Sequence, residues 1–206
     1  MIKIIIHIKK ILSIALLIFG MLLNCPQLLS QVKYIINCRQ DLLEASLDTA
    51  LSQIGTTERS GKNDGDIEKY QTSAGLAKGS AYCAAGQYYC FFKAAIALSI
   101  DKKDIPIPRT GVANIMYNDA ARKGIKSPYK ASKHDLIVWK KALSMSGHIE
   151  RIFKAEKFGW VRTIAFNTSS KNKYGKKTEG VFIKQRNIYH PLGRMAIRGI
   201  IGFVTY

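Results

Sequence analysis

An α+β domain is the expectation, and three observations carry it. Between residues 41 and 124 apolar side chains recur at helical spacing, and beyond Pro128 they fall into short alternating or wholly apolar runs. No internal repeat or long linker separates the two halves. Helices first and antiparallel strands second, joined by short loops, place the helices on one side of a curved antiparallel sheet. At 206 residues and 47% hydrophobic content the chain suits one well-packed domain rather than two.

The elements follow in order. Leu42, Leu43, Leu47, Ala50, Leu51 and Ile54 form the apolar stripe of a first helix from Asp41 to Ile54, closed by Gly55. Residues 56–65 are rich in turn formers and read as a surface loop, a candidate cleft wall with Asn63 as a hydrogen-bond donor. A short helix suits Asp66 to Ala74, with Ile67 and Tyr70 inward. After Gly75, Gly79 and Ser80, a small and apolar run from Ala84 to Ile100 reads as a buried helix. Its Gly86 costs helix propensity and points to a close approach there. Thr110 can cap a further helix with Val112, Ile115, Met116 and Ala120 inward, ending at Gly124. Strands are expected at Leu136–Trp139, Gly147–Phe153, Trp160–Asn167, Gly180–Lys184 and Ile197–Val204. The lysine-rich stretch Thr168 to Thr178 reads as a basic hairpin loop.

The N-terminus is separate from this domain. Lys9 and Lys10 precede an apolar run from Ile11 to Leu23, the pattern of a secretory signal peptide, with cleavage before Gln31. Two alternatives stand beside it: lipidation at Cys25, and an uncleaved anchor helix from Ile4 to Leu23. Each one exports residues 31–206, so the expected location is secreted, periplasmic or the cell envelope, with no stable membrane span once the leader is removed. Residues 1–30 hold three lysines and no acid, which leaves 29 basic and 14 acidic residues and a charge of +15 on the remainder. Such a surface attracts polyanions. No helix-turn-helix, zinc-finger spacing or aromatic RNA-binding signature accompanies it, so no nucleic-acid partner is expected. For an exported chain the polyanion is cell-wall polymer, lipid head groups or acidic polysaccharide. A monomer is expected.

Cys38, Cys83 and Cys90 remain beyond the leader, an odd number in an oxidising compartment. If Cys38 and Cys90 bridge, Cys83 is left over. No cysteine has metal-ligand spacing with a histidine pair, so neither metal nor cofactor is expected. Cys83 sits where the buried helix begins. Unpaired N–H groups and the positive end of the helix dipole favour a thiolate there. Cysteine is also among the most often buried residues, so position alone does not make it a nucleophile; it needs a base and a residue to orient that base. His134 and His190 lie in expected loops. His148 opens a strand directly after Gly147, and Asn167, at the end of the next strand, would fall near it if the two pair as a hairpin.

Glu58, Gly61, Asn63, Tyr70 and Gly75, then Tyr82-Cys83-Ala84-Ala85, Asp135-Leu136-Ile137-Val138, Gly147-His148-Ile149 and Asn167-Thr168 resemble, in that order, the CHAP and NlpC-type papain-like amidases and endopeptidases that cut peptidoglycan. The likeness runs from about Leu42 to Val204. It implies a papain-like fold with Cys83 as nucleophile, His148 as general base and Asn167 as the residue that orients it. Asn63, Tyr82 and Gln87 are then expected to touch substrate. Some members carry an acid two positions before the Asn; Ala165 stands there, so a neutral amide is expected to steady the imidazole, and an acid-assisted arrangement is excluded. Gly86-Gln87 also departs from the family's usual bulky-then-polar pair. The implied activity is hydrolysis of peptidoglycan amide bonds, by an amidase or a peptide endopeptidase. Two non-enzymatic readings stand beside it: an inactive basic wall-binding module on the same fold, and a binder of nucleic acid or anionic lipid.

Overall fold

The computed structural model describes residues 31–171 and 174–206. The expected leader and its Cys25 lie outside the described residues. Val32–Cys38 forms strand β1, followed by helices α1 (Gln40–Ser52), α2 (Glu68–Ala74), α3 (Cys83–Ala97) and α4 (Ala113–Lys123). Then come β2 (Ile125–Ser127), β3 (Leu136–Lys141), β4 (Gly147–Ala155), β5 (Trp160–Lys171), β6 (Lys177–Asn187) and β7 (Met195–Thr205).

The strands make one seven-stranded sheet in the order β2-β1-β7-β3-β4-β5-β6. Its β3-to-β7 part is antiparallel as expected, but β1 runs parallel to β7, so the whole sheet is mixed. Strand β1 was not expected. Its Val-Lys-Tyr-Ile-Ile pattern puts a lysine on a buried position, and only tertiary structure supplies the partner: Lys33 Nζ lies 2.6 Å from Asp135 Oδ2, with both side chains buried.

The centre of the sheet, at β3 and β4, is buried on both faces. Leu136, Val138, Ile149 and Ile201 pack against α1, α3 and α4. Ile137, Trp139, Ile152, Val161 and Ile200 form a second core on the opposite face, covered by Tyr129, Leu192 and Met195. This explains the uninterrupted Leu136-Ile137-Val138-Trp139 run, since a strand covered on both faces needs no polar alternation. Strand β4 shows the same two-sidedness with polar residues. Arg151 turns toward the helices, where its guanidinium donates to Ser46 Oγ at 2.9 Å and Leu43 O at 3.0 Å and lies over the Phe91 ring. Glu150 turns the other way.

Several local expectations change. The loop at 56–65 is not wholly a free surface loop: Gly55 and Glu58 N–H donate to Val181 and Glu179 carbonyls at 2.9 Å, so its start covers the edge strand β6. Helix α4 begins at Ala113, with Thr110 Oγ1 accepting from Val112 N–H at 3.1 Å. Its inward face is Ala113, Asn114, Met116, Tyr117 and Ala120, while Ile115 is exposed. His134, expected in a loop, is buried between Glu44 and Arg151.

The close approach inferred at Gly86 is made by a side chain. A Cβ there would fall 2.9 Å from Phe166 Cβ and closer still to the Phe166 ring. Helix α3 therefore presses directly on β5. Gly86→Ala should lower stability by about 1–3 kcal/mol, read as a lower urea midpoint at an unchanged slope. Phe166→Leu in the same background should recover part of that loss.

Candidate active site

Cys83 is the first residue of α3. Tyr82 precedes it in a non-helical conformation and makes no side-chain cap. The first-turn N–H groups have no intrahelical acceptor, so the positive end of α3 is turned toward the sulfur. The thiol lies at the start of β4, with Sγ 3.9 Å from the Gly147 carbonyl. Gly147 is needed for that juncture. A Cβ on it would stand 2.8 Å from Asn114 Nδ2 and collide with the Trp139 carbonyl.

His148 follows at once, opposite Trp139 in the β3–β4 ladder, their rings 6.1 Å apart. It is 8% exposed. Burial alone would make the imidazole a poorer base. Its hydrogen bonds with Cys83 and Glu150, and the charge those groups carry, outweigh burial and raise its pKa well above the ordinary histidine value. The interaction with Cys83 is thus one of the forces that set the basicity of His148.

Glu150 is the group behind the imidazole. His148 Nε2 lies 3.1 Å from Glu150 Oε1. The carboxylate also accepts from Thr163 Oγ1 at 2.6 Å and from Arg186 Nε at 3.1 and 3.0 Å and Nη2 at 2.8 Å. Burial pushes the Glu150 carboxyl up, but the His148 and Arg186 bonds win and hold it at about 2.

Asn167 does not hold the imidazole. The β4–β5 ladder pairs Glu150 with Ala165, a register that would set Asn167 opposite His148 if it continued. The β4–β5 ladder ends at that pair; the β5–β6 pairing shifts register between Ala165 and Thr168, and Asn167 takes a positive φ of 54°. Its side chain lines a cavity beside His148, together with Arg186, and makes no hydrogen bond with the ring. Ala165 did not exclude an acid after all. The small residue lies across the ladder from Glu150, and the carboxylate comes from β4 instead of β5. The signal was in the sequence: Gly-His-Ile-Glu on a strand puts His and Glu, two apart, on one face.

The expected substrate contacts are placed differently. Tyr82 is fully buried, its ring stacked on Tyr70 and its hydroxyl donating to Glu58 Oε1 at 2.9 Å. Asn63 Nδ2 donates to the Gly79 carbonyl at 3.0 Å, which ties two loops together and engages the amide expected to touch substrate. Gln87 is buried in the second turn of α3, with neither end of its amide hydrogen-bonded among the described residues. None of the three lines the cavity at Cys83. Cys38, Cys83 and Cys90 are all free thiols. Burial pushes Cys38 and Cys90 up to about 12, which leaves them unreactive at neutral pH. Among the described residues, no cluster of three His, Cys, Asp or Glu is placed to hold a metal ion, and no helix is long and apolar enough to cross a membrane.

The folded Glu150 carboxyl lies below its ordinary 4.5, at about 2. The stability it contributes is therefore present above pH 4.5 and is lost as pH falls through about 2. Glu150→Gln removes that contribution. Urea midpoints of wild type and Glu150→Gln should differ at pH 7 and converge as pH drops from 4.5 toward 2; a gap that stays constant would show that the carboxyl is not held this way.

No protein-family model matches the chain, and neither does a curated protein or a solved structure.

Proposed function

We propose that this chain is an exported cysteine hydrolase that cleaves amide bonds of peptidoglycan through Cys83, His148 and Glu150. The observation that carries the chemistry is a free thiol at a helix N-terminus, open to a cavity, beside an imidazole whose far nitrogen is held by a buried carboxylate. That is the arrangement a nucleophile, its base and an orienting residue require. The substrate class rests on the resemblance to CHAP and NlpC-type enzymes and on the strongly basic surface, which suits an anionic wall polymer. The papain-like assignment belongs to the same proposal.

In the first step Sγ adds to the carbonyl carbon while the Cys83 proton rests on His148, whose raised pKa favours the imidazolium. The tetrahedral oxyanion sits against the first-turn N–H groups of α3. Collapse breaks the C–N bond, and His148 delivers the proton to the leaving amine, which leaves a thioester on Cys83. Water, deprotonated by the same imidazole, adds to the thioester, and the thiol is released with the acid product. Glu150 holds the ring orientation and stabilises the imidazolium in both steps. An N-acetylmuramoyl amide and a peptide bond follow the same course, so both fall within this reading.

Purified peptidoglycan should release soluble fragments in the presence of wild-type protein, and mass spectrometry of their new ends separates amidase from endopeptidase cleavage. Cys83→Ala should abolish release with little change in melting temperature. Glu150→Gln should lower the rate by about 10²–10⁴-fold, as expected when an orienting carboxylate is neutralised. Asn167→Gly, which retains the positive φ, should lower it by less than about tenfold, on the same reasoning that a group not bonded to the ring cannot set its tautomer. Wall binding with no release by wild type would overturn the hydrolase and favour a binding module.

A further inference from the structure

Arg186 stands on β6, two strands across the sheet from His148, yet its guanidinium meets the same carboxylate. Nε lies 3.1 Å from Glu150 Oε1 and 3.0 Å from Oε2, and Nη2 lies 2.8 Å from Oε1. Oε1 is also the oxygen that His148 Nε2 approaches at 3.1 Å, while Oε2 accepts from Thr163 Oγ1 at 2.6 Å. A carboxylate gripped by this planar fork cannot turn away from the imidazole without breaking bonds at both oxygens.

Burial of the two partners is unequal. The Glu150 side chain has no exposed surface, whereas that of Arg186 keeps 20% exposure and borders the cavity beside His148. A cation that still meets water on one side loses less hydration than one enclosed on all sides. Two other charged side chains of β6 stand nearby and are engaged elsewhere: Lys184 Nζ donates to the Ser169 carbonyl at 2.5 Å, and Glu179 accepts from Lys177 Nζ at 2.8 Å. Among the described residues, Arg186 is therefore the one cation bonded to Glu150 besides a protonated His148.

A count of charges shows what the fork does for the thiol. A Cys83 thiolate, a His148 imidazolium, the Glu150 carboxylate and the Arg186 guanidinium sum to zero. Without the guanidinium the other three leave a net negative charge in a buried place, which the interior disfavours. The cluster would then keep one more proton, shared among Cys83, His148 and Glu150 as a coupled set. Burial works to raise the Glu150 pKa, and the bonds from His148 and then Arg186 reverse it.

Resting on the hydrolase reading above, we infer that Arg186 is a positioning residue: it clamps the Glu150 carboxylate against His148, balances its charge, and so keeps Cys83 and His148 in their reactive, charge-separated form at neutral and mildly acidic pH. It acts through the carboxylate and not on the reacting atoms.

The test follows alkylation of Cys83 by iodoacetamide in the whole protein across the acid and neutral range, read by mass spectrometry of its peptide. The S–C bond forms and iodide leaves, so the rate reports the thiolate and needs no wall substrate. It should rise with pH along an acid limb. Arg186→Gln should move that limb to higher pH by at least about one unit, the smallest effect usual for a guanidinium beside a carboxylate. Arg186→Lys keeps the charge and loses the fork, and should move it by less than about half as much. Urea midpoints give a second reading. The gap between Arg186→Gln and the double variant Glu150→Gln/Arg186→Gln should close at a higher pH than the gap between wild type and Glu150→Gln, because an unclamped carboxyl takes up its proton sooner. If Arg186→Gln alone does not fold, the double variant decides: it should fold, since no carboxylate is left for the guanidinium to serve, and failure of both overturns the inference. A limb that Arg186→Gln leaves in place, or moves no further than Arg186→Lys does, also overturns it. The hydrolase reading is separated by peptidoglycan: release by wild type and none by Cys83→Ala preserves that reading even where the Arg186 limb does not move. No acid limb in wild type overturns both.

Discussion

The Glu150 carboxylate is the interaction on which the site depends. It is fully buried and bonds to His148 on its own strand, Thr163 on β5 and Arg186 on β6. A carboxylate in such a place is costly unless its lone pairs are matched, and breaking a buried pair of this kind costs about 3–5 kcal/mol. Here the matching groups come from three adjacent strands. The hydrogen bonds that keep the charge soluble inside the protein therefore also set the register of that part of the sheet and the orientation of the imidazole. Stability and chemistry share one set of contacts.

The opposite face of β4 solves a similar problem by different means. Arg151 is enclosed by α1, α3 and the sheet. Its neighbours are Ser46, the Leu43 carbonyl, the His134 ring and the face of Phe91, with no carboxylate within hydrogen-bonding distance among the described residues. Burial accordingly pulls its pKa down to about 10. Ion pairing of Lys33 with Asp135 pins the added parallel strand β1. Strand β4 thus carries an anion on one side and a cation on the other, each matched across elements distant in sequence. A slip of one residue would exchange the two faces and leave both charges unmatched, so the register of this strand is strongly specified.

Two glycines bring Cys83 and His148 into reach of each other. Gly86 lets α3 settle onto Phe166 of β5, and Gly147 lets the beginning of β4 pass between Asn114 and the β3 backbone. Together they bring the first turn of α3 to the start of β4, where Cys83 meets His148. Asn114 then fixes the segment just before Gly147 through two carbonyls, with Arg198 behind it. The segment before Gly147 and the start of β4 are consequently held as one unit.

The sequence by itself determined the α+β class, the helix beginning at Cys83, the strand beginning at Gly147 and the close approach at Gly86, because each rests on a local pattern: apolar period, turn residues, or a missing Cβ. It also pointed to Cys83 and His148 as the candidates to bring together. Tertiary structure alone decided what stands around them. The parallel strand β1 exists because β7 and Asp135 receive it; Tyr82, Asn63 and Gln87 are withdrawn from the cleft because Glu58, Gly79 and the core surround them. The exchange of Asn167 for Glu150 has the same origin. A strand's alternation shows which residues share a face, but a single register shift in β5 turned the amide away and left the imidazole to the carboxylate, and such a shift is set by the packing of the whole sheet.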